Sequence, residues 1–173
     1  MSFLIPRAYG GLEFSPLSIA SIRAKINIHC TPVGTYVLNP NSLGAAELIK
    51  HYGTEAQKCS YLPKLARGEY IPAFALTEPT AGSDAASIRA EGVVFRDVHG
   101  ELQLRLSFRK RYIPLAPVAT LITLACKLPD PPNLLGTGAP LGTTTLHIHK
   151  ATQGFASGNH TGPVGSPFDT RPL

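Results

Sequence analysis

The sequence predicts an α+β fold, helices first and strands after. Three observations carry this reading. Apolar residues recur at helical spacing up to about residue 70, and after Tyr70 the period falls to two. A His99-Gly100 turn then joins two of the later apolar runs.

The elements follow in order. Ser15 is an N-cap with Pro16 at the first helical position, where the missing N–H costs nothing. Ile19, Ile22 and Ile26 share a face of this helix, and Pro32 and Gly34 are expected to break it. A second helix is expected from near Ser42 through Ala45, Ala46, Leu48 and Ile49, closed by Gly53 as a C′ glycine. Thr54 and Gln57 form a capping box for a third helix. That helix should be short, because Pro63 kinks it or opens a new turn, and Gly68 closes it. Leu102, Leu104, Leu106 and Phe108 alternate with polar partners, which predicts a half-buried strand. Residues 143–149 alternate too and are β-branched at the start. Residues 71–76, 92–95 and 118–127 are further strands. From Ala151 the chain is rich in Gly and Pro with no period, and a loose tail is expected. The divisions are therefore 1–69, 70–150 and 151–173.

Composition narrows the function classes. The chain is 43% hydrophobic and 16% charged, against about 25% charged in an average domain, which excludes a charge-dominated disordered polymer. No apolar stretch reaches the ~18 residues of a membrane span. With no export signal read at the N-terminus, a cytoplasmic location is expected. A net charge of +5 permits an anionic partner without naming one. Arg109-Lys110-Arg111, the only basic run, reads as a solvated face, and no aromatic–basic interleaving suggests nucleic acid. Cys30, Cys59 and Cys126 read as small buried hydrophobes, since no spacing suggests zinc or a disulfide. His147 and His149 share one strand face but lack a third ligand, so no metal is assigned. His51 reads as a dipole partner at a helix C-terminus. Asn159-His160-Thr161 matches a glycosylation acceptor with no export signal beside it.

The most specific stretch runs from Phe74 to Asp84: a strand, a hydroxyl at Thr77, a Pro79 bend, then Gly82-Ser83-Asp84. Gly82 lets backbone approach a ligand, and turn N–H groups with the Ser83 hydroxyl can hold an anion. These residues fit either a phosphate-bearing cofactor or an ordinary capped turn.

Leu76-Thr77-Glu78-Pro79-Thr80-Ala81-Gly82-Ser83-Asp84 resembles the flavin-binding signature of the acyl-CoA dehydrogenase family. Ile5-Pro6-Arg7-Ala8-Tyr9-Gly10-Gly11 resembles the family's N-terminal element. Asn41-Ser42-Leu43-Gly44, with His51-Tyr52-Gly53-Thr54-Glu55 and Tyr61-Leu62-Pro63, resembles the helices before the signature. Lys110-Arg111-Tyr112-Ile113 and Ala116-Pro117-Val118-Ala119-Thr120 are most similar to the large bacterial members that act on long-chain acyl-CoA in fatty acid β-oxidation.

The resemblance implies N-terminal helices followed by a β-barrel or sandwich-like middle domain, with FAD as cofactor. It implies Phe74, Leu76 and Thr77 along the flavin ring, and Gly82 and Ser83 at its pyrophosphate. Ser83 would also approach the acyl-CoA, Leu43 would line the acyl pocket, and Tyr112-Ile113 would pack on the ring. The implied reaction is α,β-dehydrogenation of fatty acyl-CoA, with a carboxylate base and an electron-transfer flavoprotein as electron acceptor. A homo-oligomeric parent is implied, and the resemblance leaves room for peripheral membrane association.

Three departures qualify this. The family's Thr after the aromatic-Ile pair is Pro114, which carries neither a hydroxyl nor an N–H. The Gly/Pro-rich end does not resemble the family's β-domain. The C-terminal helical domain, where the family places its catalytic glutamate, is not expected in these residues. No catalytic residue is therefore assigned, and Glu78 is expected to belong to a turn. The expectation is a fragment inactive alone. The alternative is a non-catalytic truncated product, or an interaction module that binds flavin or acyl-CoA weakly.

Overall fold

Ser15 opens the first helix, α1 (Pro16–His29), by accepting the Ser18 N–H at its hydroxyl. The computed structural model describes residues 3–34, 37, 45–130, 133–138, 142–158 and 170–171. Only Ile19 of α1 is fully buried; Ile22 and Ile26 are half-buried. The break comes at Cys30, whose backbone is extended, and not at Pro32. Residues 31–34 are helical again. Pro32 sits in the first turn of that segment, where it has no N–H to waste.

Helix α2 (Ala45–Tyr52) buries Ala45, Ala46 and Ile49; its expected start at Ser42 lies outside the described residues. Gly53 is not a left-handed C′ glycine. Its N–H continues the helix ladder to the Ile49 carbonyl, and an added Cβ would lie 2.6 Å from that oxygen. Close approach, not positive φ, requires glycine there. Helix α3 (Glu55–Arg67) opens with the full Thr54–Gln57 capping box and ends at Gly68 in the left-handed region, φ 76°. It continues through Pro63 to Arg67, correcting the expected early end. Proline forfeits one ladder bond, while Leu62 and Leu65, both buried, hold the turn on either side of it.

The strands are β1 (Pro72–Ala75), β2 (Glu91–Arg96), β3 (Leu102–Ser107), β4 (Ile113–Pro114), β5 (Leu121–Lys127), β6 (Thr143–His149) and β7 (Thr170–Arg171). Strand β5 organises them, with every residue from 121 to 126 buried. On one edge β1 runs parallel to its first half, Pro72↔Leu121 to Ala75↔Leu124, and β2 takes over at Glu91↔Lys127. On the other edge β6 runs antiparallel along its whole length. Strands β2 and β3 form a hairpin. Its turn is fastened by the Asp97 side chain, which accepts the His99 and Glu101 N–H groups. Within the Gly/Pro-rich end, Thr170–Arg171 pairs with β4.

A strand buried on both faces serves two cores. Ile122, Leu124 and Cys126 pack with Ala73, Ala75, Ile113 and Ala116. On the opposite face, Leu121 joins Ile5, Ile49, Leu62 and Leu65 of the helical part, while Ala125 joins Ala81 and Ile88. Strand β5 thus ties the helices to the sheet. The order of helices before strands confirms the α+β expectation.

Strand β3 is more open than its alternation predicts. Leu102 is 45% and Leu104 37% exposed, and only Leu106 and Phe108 are half-buried. The hairpin stands at the end of the sheet order, so its apolar face borders a groove of about 340 Å³ with Phe95 and Phe155. Cys30, just past α1, and Cys59, on α3, are exposed and only Cys126 is buried, which corrects the expectation for two of the three.

Thr54→Ala removes one half of the capping box. The expected cost is about 1 kcal/mol of unfolding free energy, read from the urea midpoint with an unchanged slope.

Candidate functional site: the loop after β1

Alternation along β1 sorts its side chains. Ala73 and Ala75 enter the main core, so Phe74 and Leu76 point to the other face, the one that carries Thr123 and Ala125. Both are half-buried, and Leu76 packs on Ala81, Ile88 and Ala125. Thr77 follows, half-buried, and its carbonyl accepts the Arg111 N–H at 2.9 Å. That bond sets Thr77 beside the segment that leads into β4.

The chain then turns through Glu78-Pro79-Thr80-Ala81. Pro79 fixes the first corner. The Glu78 N–H donates to the Ala81 carbonyl at 2.9 Å and the Ala81 N–H returns to Glu78 at 3.3 Å. Gly82, Ser83 and Asp84 emerge exposed. The N–H groups of Thr77, Gly82 and Ser83, and the hydroxyls of Thr77 and Ser83, have no hydrogen-bond partner among the described residues. Asp84 is used internally, its carboxylate accepting the Ser87 hydroxyl.

What holds this loop is a buried ion pair. Lys110 Nζ lies 2.8 Å from Glu78 Oε1, with the lysine side chain 0% and the glutamate 4% exposed. The same ammonium donates to the Leu76 carbonyl at 2.9 Å. Glu78 also accepts the Arg89 N–H at 2.7 Å and the Ala90 N–H at 2.9 Å. Burial pushes the Glu78 carboxyl up, but Lys110 and the two backbone donors outweigh it and hold it below its ordinary value. Glu78 is a structural turn residue, as expected.

Lys110 corrects the reading of Arg109-Lys110-Arg111 as a solvated face. The two arginines are exposed and the lysine between them is sealed. Its signal was present in the sequence: extending the alternation of Leu104, Leu106 and Phe108 by one step puts residue 110 on the inward side.

The other expected site residues fall as follows. Tyr112 is 48% exposed, has φ 55° and carries the Arg111 guanidinium 4.6 Å from its ring centre. The Ile113 side chain is 1% exposed inside the main core, which leaves only its backbone for any ligand. Pro114 is half-buried in β4. Leu43 and Asn159-His160-Thr161 lie outside the described residues. His147 and His149 do not gather ligands: among the described residues no group of three or more metal-binding side chains occurs. Both rings pack on Tyr61, and His149 packs on Tyr70. His147 Nδ1 lies 3.2 Å from the Thr123 hydroxyl, and burial lowers its pKa. His51 pairs with Glu47 at 2.9 Å in the last turn of α2. Among the described residues no helix is long and apolar enough to cross a membrane.

Residues 1–69 match the family described as "Acyl-CoA dehydrogenase, N-terminal domain". The human mitochondrial very long-chain specific acyl-CoA dehydrogenase is 42% identical over 89 residues, 51% of this chain and 13% of that protein. The L-prolyl-[peptidyl-carrier protein] dehydrogenase of Pseudomonas fluorescens is 32% identical over 153 residues, 87% of this chain and 37% of its own. The crystal structure of an acyl-CoA dehydrogenase from Geobacillus kaustophilus superposes with a TM-score of 0.78 at 30% identity, over 99% of this chain and 43% of that one. The chain therefore belongs to the acyl-CoA dehydrogenase family. It spans less than half the length of these three relatives.

A carboxylate whose folded pKa is depressed stabilises the fold above its unfolded pKa and loses that contribution as pH falls through the folded value. Urea midpoints are expected to drop as pH falls below 4.5, the ordinary value for Glu78. Glu78→Gln, compared at the same pH values, should flatten that limb while lowering the midpoint at pH 7.

Proposed function

We propose that the loop after β1 binds FAD, and that the chain supplies part of an enzyme that α,β-dehydrogenates fatty acyl-CoA. One observation carries the reading. The carbonyls of Leu76, Thr77, Glu78 and Ala81 are all taken up internally, while the donors of Thr77, Gly82 and Ser83 are open. At Thr77, open donors beside occupied acceptors suit an acceptor-rich rim such as a flavin's, and the open N–H groups of Gly82 and Ser83 suit a diphosphate. The residues present fit that group. Thr77 would hold the ring, with Phe74, Leu76, Tyr112 and the Ile113 backbone around it, and Gly82 and Ser83 would hold the diphosphate.

Bound FAD supplies hydride acceptance. The residues of this chain orient it and exclude water from one side. They do not supply the base: Glu78, the carboxylate nearest the loop's start, is neutralised by Lys110 and saturated by three donors. The base belongs to sequence beyond these 173 residues, and a polypeptide of these residues alone binds without turning over. In the longer protein an electron-transfer flavoprotein takes the electrons, subunits associate as homo-oligomers and the location is cytoplasmic. Pro114 withholds a hydroxyl and an N–H from the ring, which weakens hydride acceptance more than binding.

A second reading concerns the thioester carrier. Of the two sequence relatives above, the one that spans more of this chain is named for a peptidyl-carrier protein rather than CoA, so acyl groups on either pantetheine carrier are substrates to compare.

FAD fluorescence should be quenched on titration with the 173-residue protein. Thr77→Val and Ser83→Ala should each weaken that binding roughly three- to tenfold, the worth of one hydrogen bond of 0.5–1.5 kcal/mol. Palmitoyl-CoA with an artificial electron acceptor should give no turnover. Unquenched FAD at millimolar protein would refute the site.

A further inference from the structure

Lys110 spends a buried charge on two oxygens. A fully buried ammonium is costly unless its hydrogen bonds are satisfied, and an isolated Glu78–Lys110 pair would gain little over two packed apolar side chains. The geometry shows what else the charge does. Nζ reaches the Leu76 carbonyl at 2.9 Å and Glu78 Oε1 at 2.8 Å, so it brackets Thr77 on both sides along the chain. The next residue, Arg111, ties down the Thr77 carbonyl itself. Three consecutive residues of the loop thus have their acceptors turned inward by two adjacent residues of the segment before β4. The Thr77 N–H and hydroxyl are left unpartnered.

We infer that Lys110 is a positioning residue for this edge: by holding the Leu76 carbonyl and the Glu78 carboxylate, its ammonium keeps acceptors away and leaves Thr77 to meet a ligand with donors only. The inference deepens the FAD reading and rests on it for the identity of the ligand, but the positioning belongs to the chain itself. It also assigns a ligand class. Without the ammonium the Leu76 carbonyl is free to rotate outward, and the edge then offers an acceptor beside two donors. An acceptor-rich heteroaromatic rim is disfavoured by that arrangement.

Lys110→Met alone strands a buried carboxylate, which is strongly destabilising, so it is paired with Glu78→Gln. The glutamine oxygen can accept one of the Arg89 and Ala90 N–H groups, which in the wild type donate to separate carboxylate oxygens, and no buried charge remains. The double variant and the wild type, as 173-residue proteins, are compared by residue-resolved amide hydrogen exchange and by FAD titration. Unfolding in urea first establishes that both are cooperatively folded. The expected result is exchange of the hydrogen-bonded amides of residue 78 and Arg111 at least tenfold faster in the double variant, with β5 and β6 amides unchanged. FAD affinity should fall about tenfold, equivalent to 1.4 kcal/mol, and the reduction potential of the bound flavin should move back toward that of free FAD. Unchanged exchange of the residue 78 and Arg111 amides overturns the inference, whether or not FAD binds. Faster exchange confined to the loop, in a protein that never quenches FAD, upholds the positioning role and refutes the flavin reading instead. If the double variant fails to fold, the wild type decides: the inference requires its Glu78 and Arg111 amides to exchange at least tenfold more slowly than in a free peptide, and exchange at the free-peptide rate overturns it.

Discussion

The buried contact between Glu78 and Lys110 is the constraint on which the arrangement of the loop depends. It joins the end of β1 to the segment before β4, residues 32 apart in sequence. Through the Arg89 and Ala90 N–H groups it also fixes the entry to β2. One carboxylate thereby sets the relative position of three chain segments that share no ladder with one another at that point. Hydrophobic burial alone does not choose such a register, because apolar contacts are not directional. The four hydrogen bonds around the pair do.

The helical part meets the sheet through β5. Leu121 lies in the cluster of Ile5, Ile49, Leu62 and Leu65, while its neighbour Ile122 points into the main core. A single strand with two apolar faces therefore transmits the position of α2 and α3 to the loop, since β1 pairs with the same half of β5. This explains why a loop with few contacts of its own holds a definite shape. Its first residues continue β1, and its return is pinned by Ile88, 0% exposed against Ala81 and Ala125.

Much of this was legible in the sequence where the signal is local. The Thr54–Gln57 capping box, the Ser15 cap, Gly68 and the Asp97–Gly100 turn each rest on bonds between residues close along the chain. The change of period near Tyr70 gave the fold class, and the resemblance of residues 76–84 to a flavin-binding signature located the loop. The rest turned on tertiary partners. Pro63 is tolerated because Leu62 and Leu65 bury beside it, which no helix propensity contains. Lys110 read as surface because its neighbours are arginines, and the carboxylate that neutralises it is distant in sequence. The exposure of Leu102 and Leu104 depends on what stands over β3, and alternation does not report that.

The imidazole of His147 has a consequence for how helix and sheet hold together. It sits opposite Thr123 in the β5–β6 pairing and packs on the Tyr61 ring of α3, which also meets His149. Burial favours its uncharged form, and a histidine depressed in the folded state takes up its proton more readily once unfolded. Acidifying below 6.5 therefore withdraws the stability that the neutral His147 contributes, at a higher pH than the Glu78–Lys110 pair loses its own.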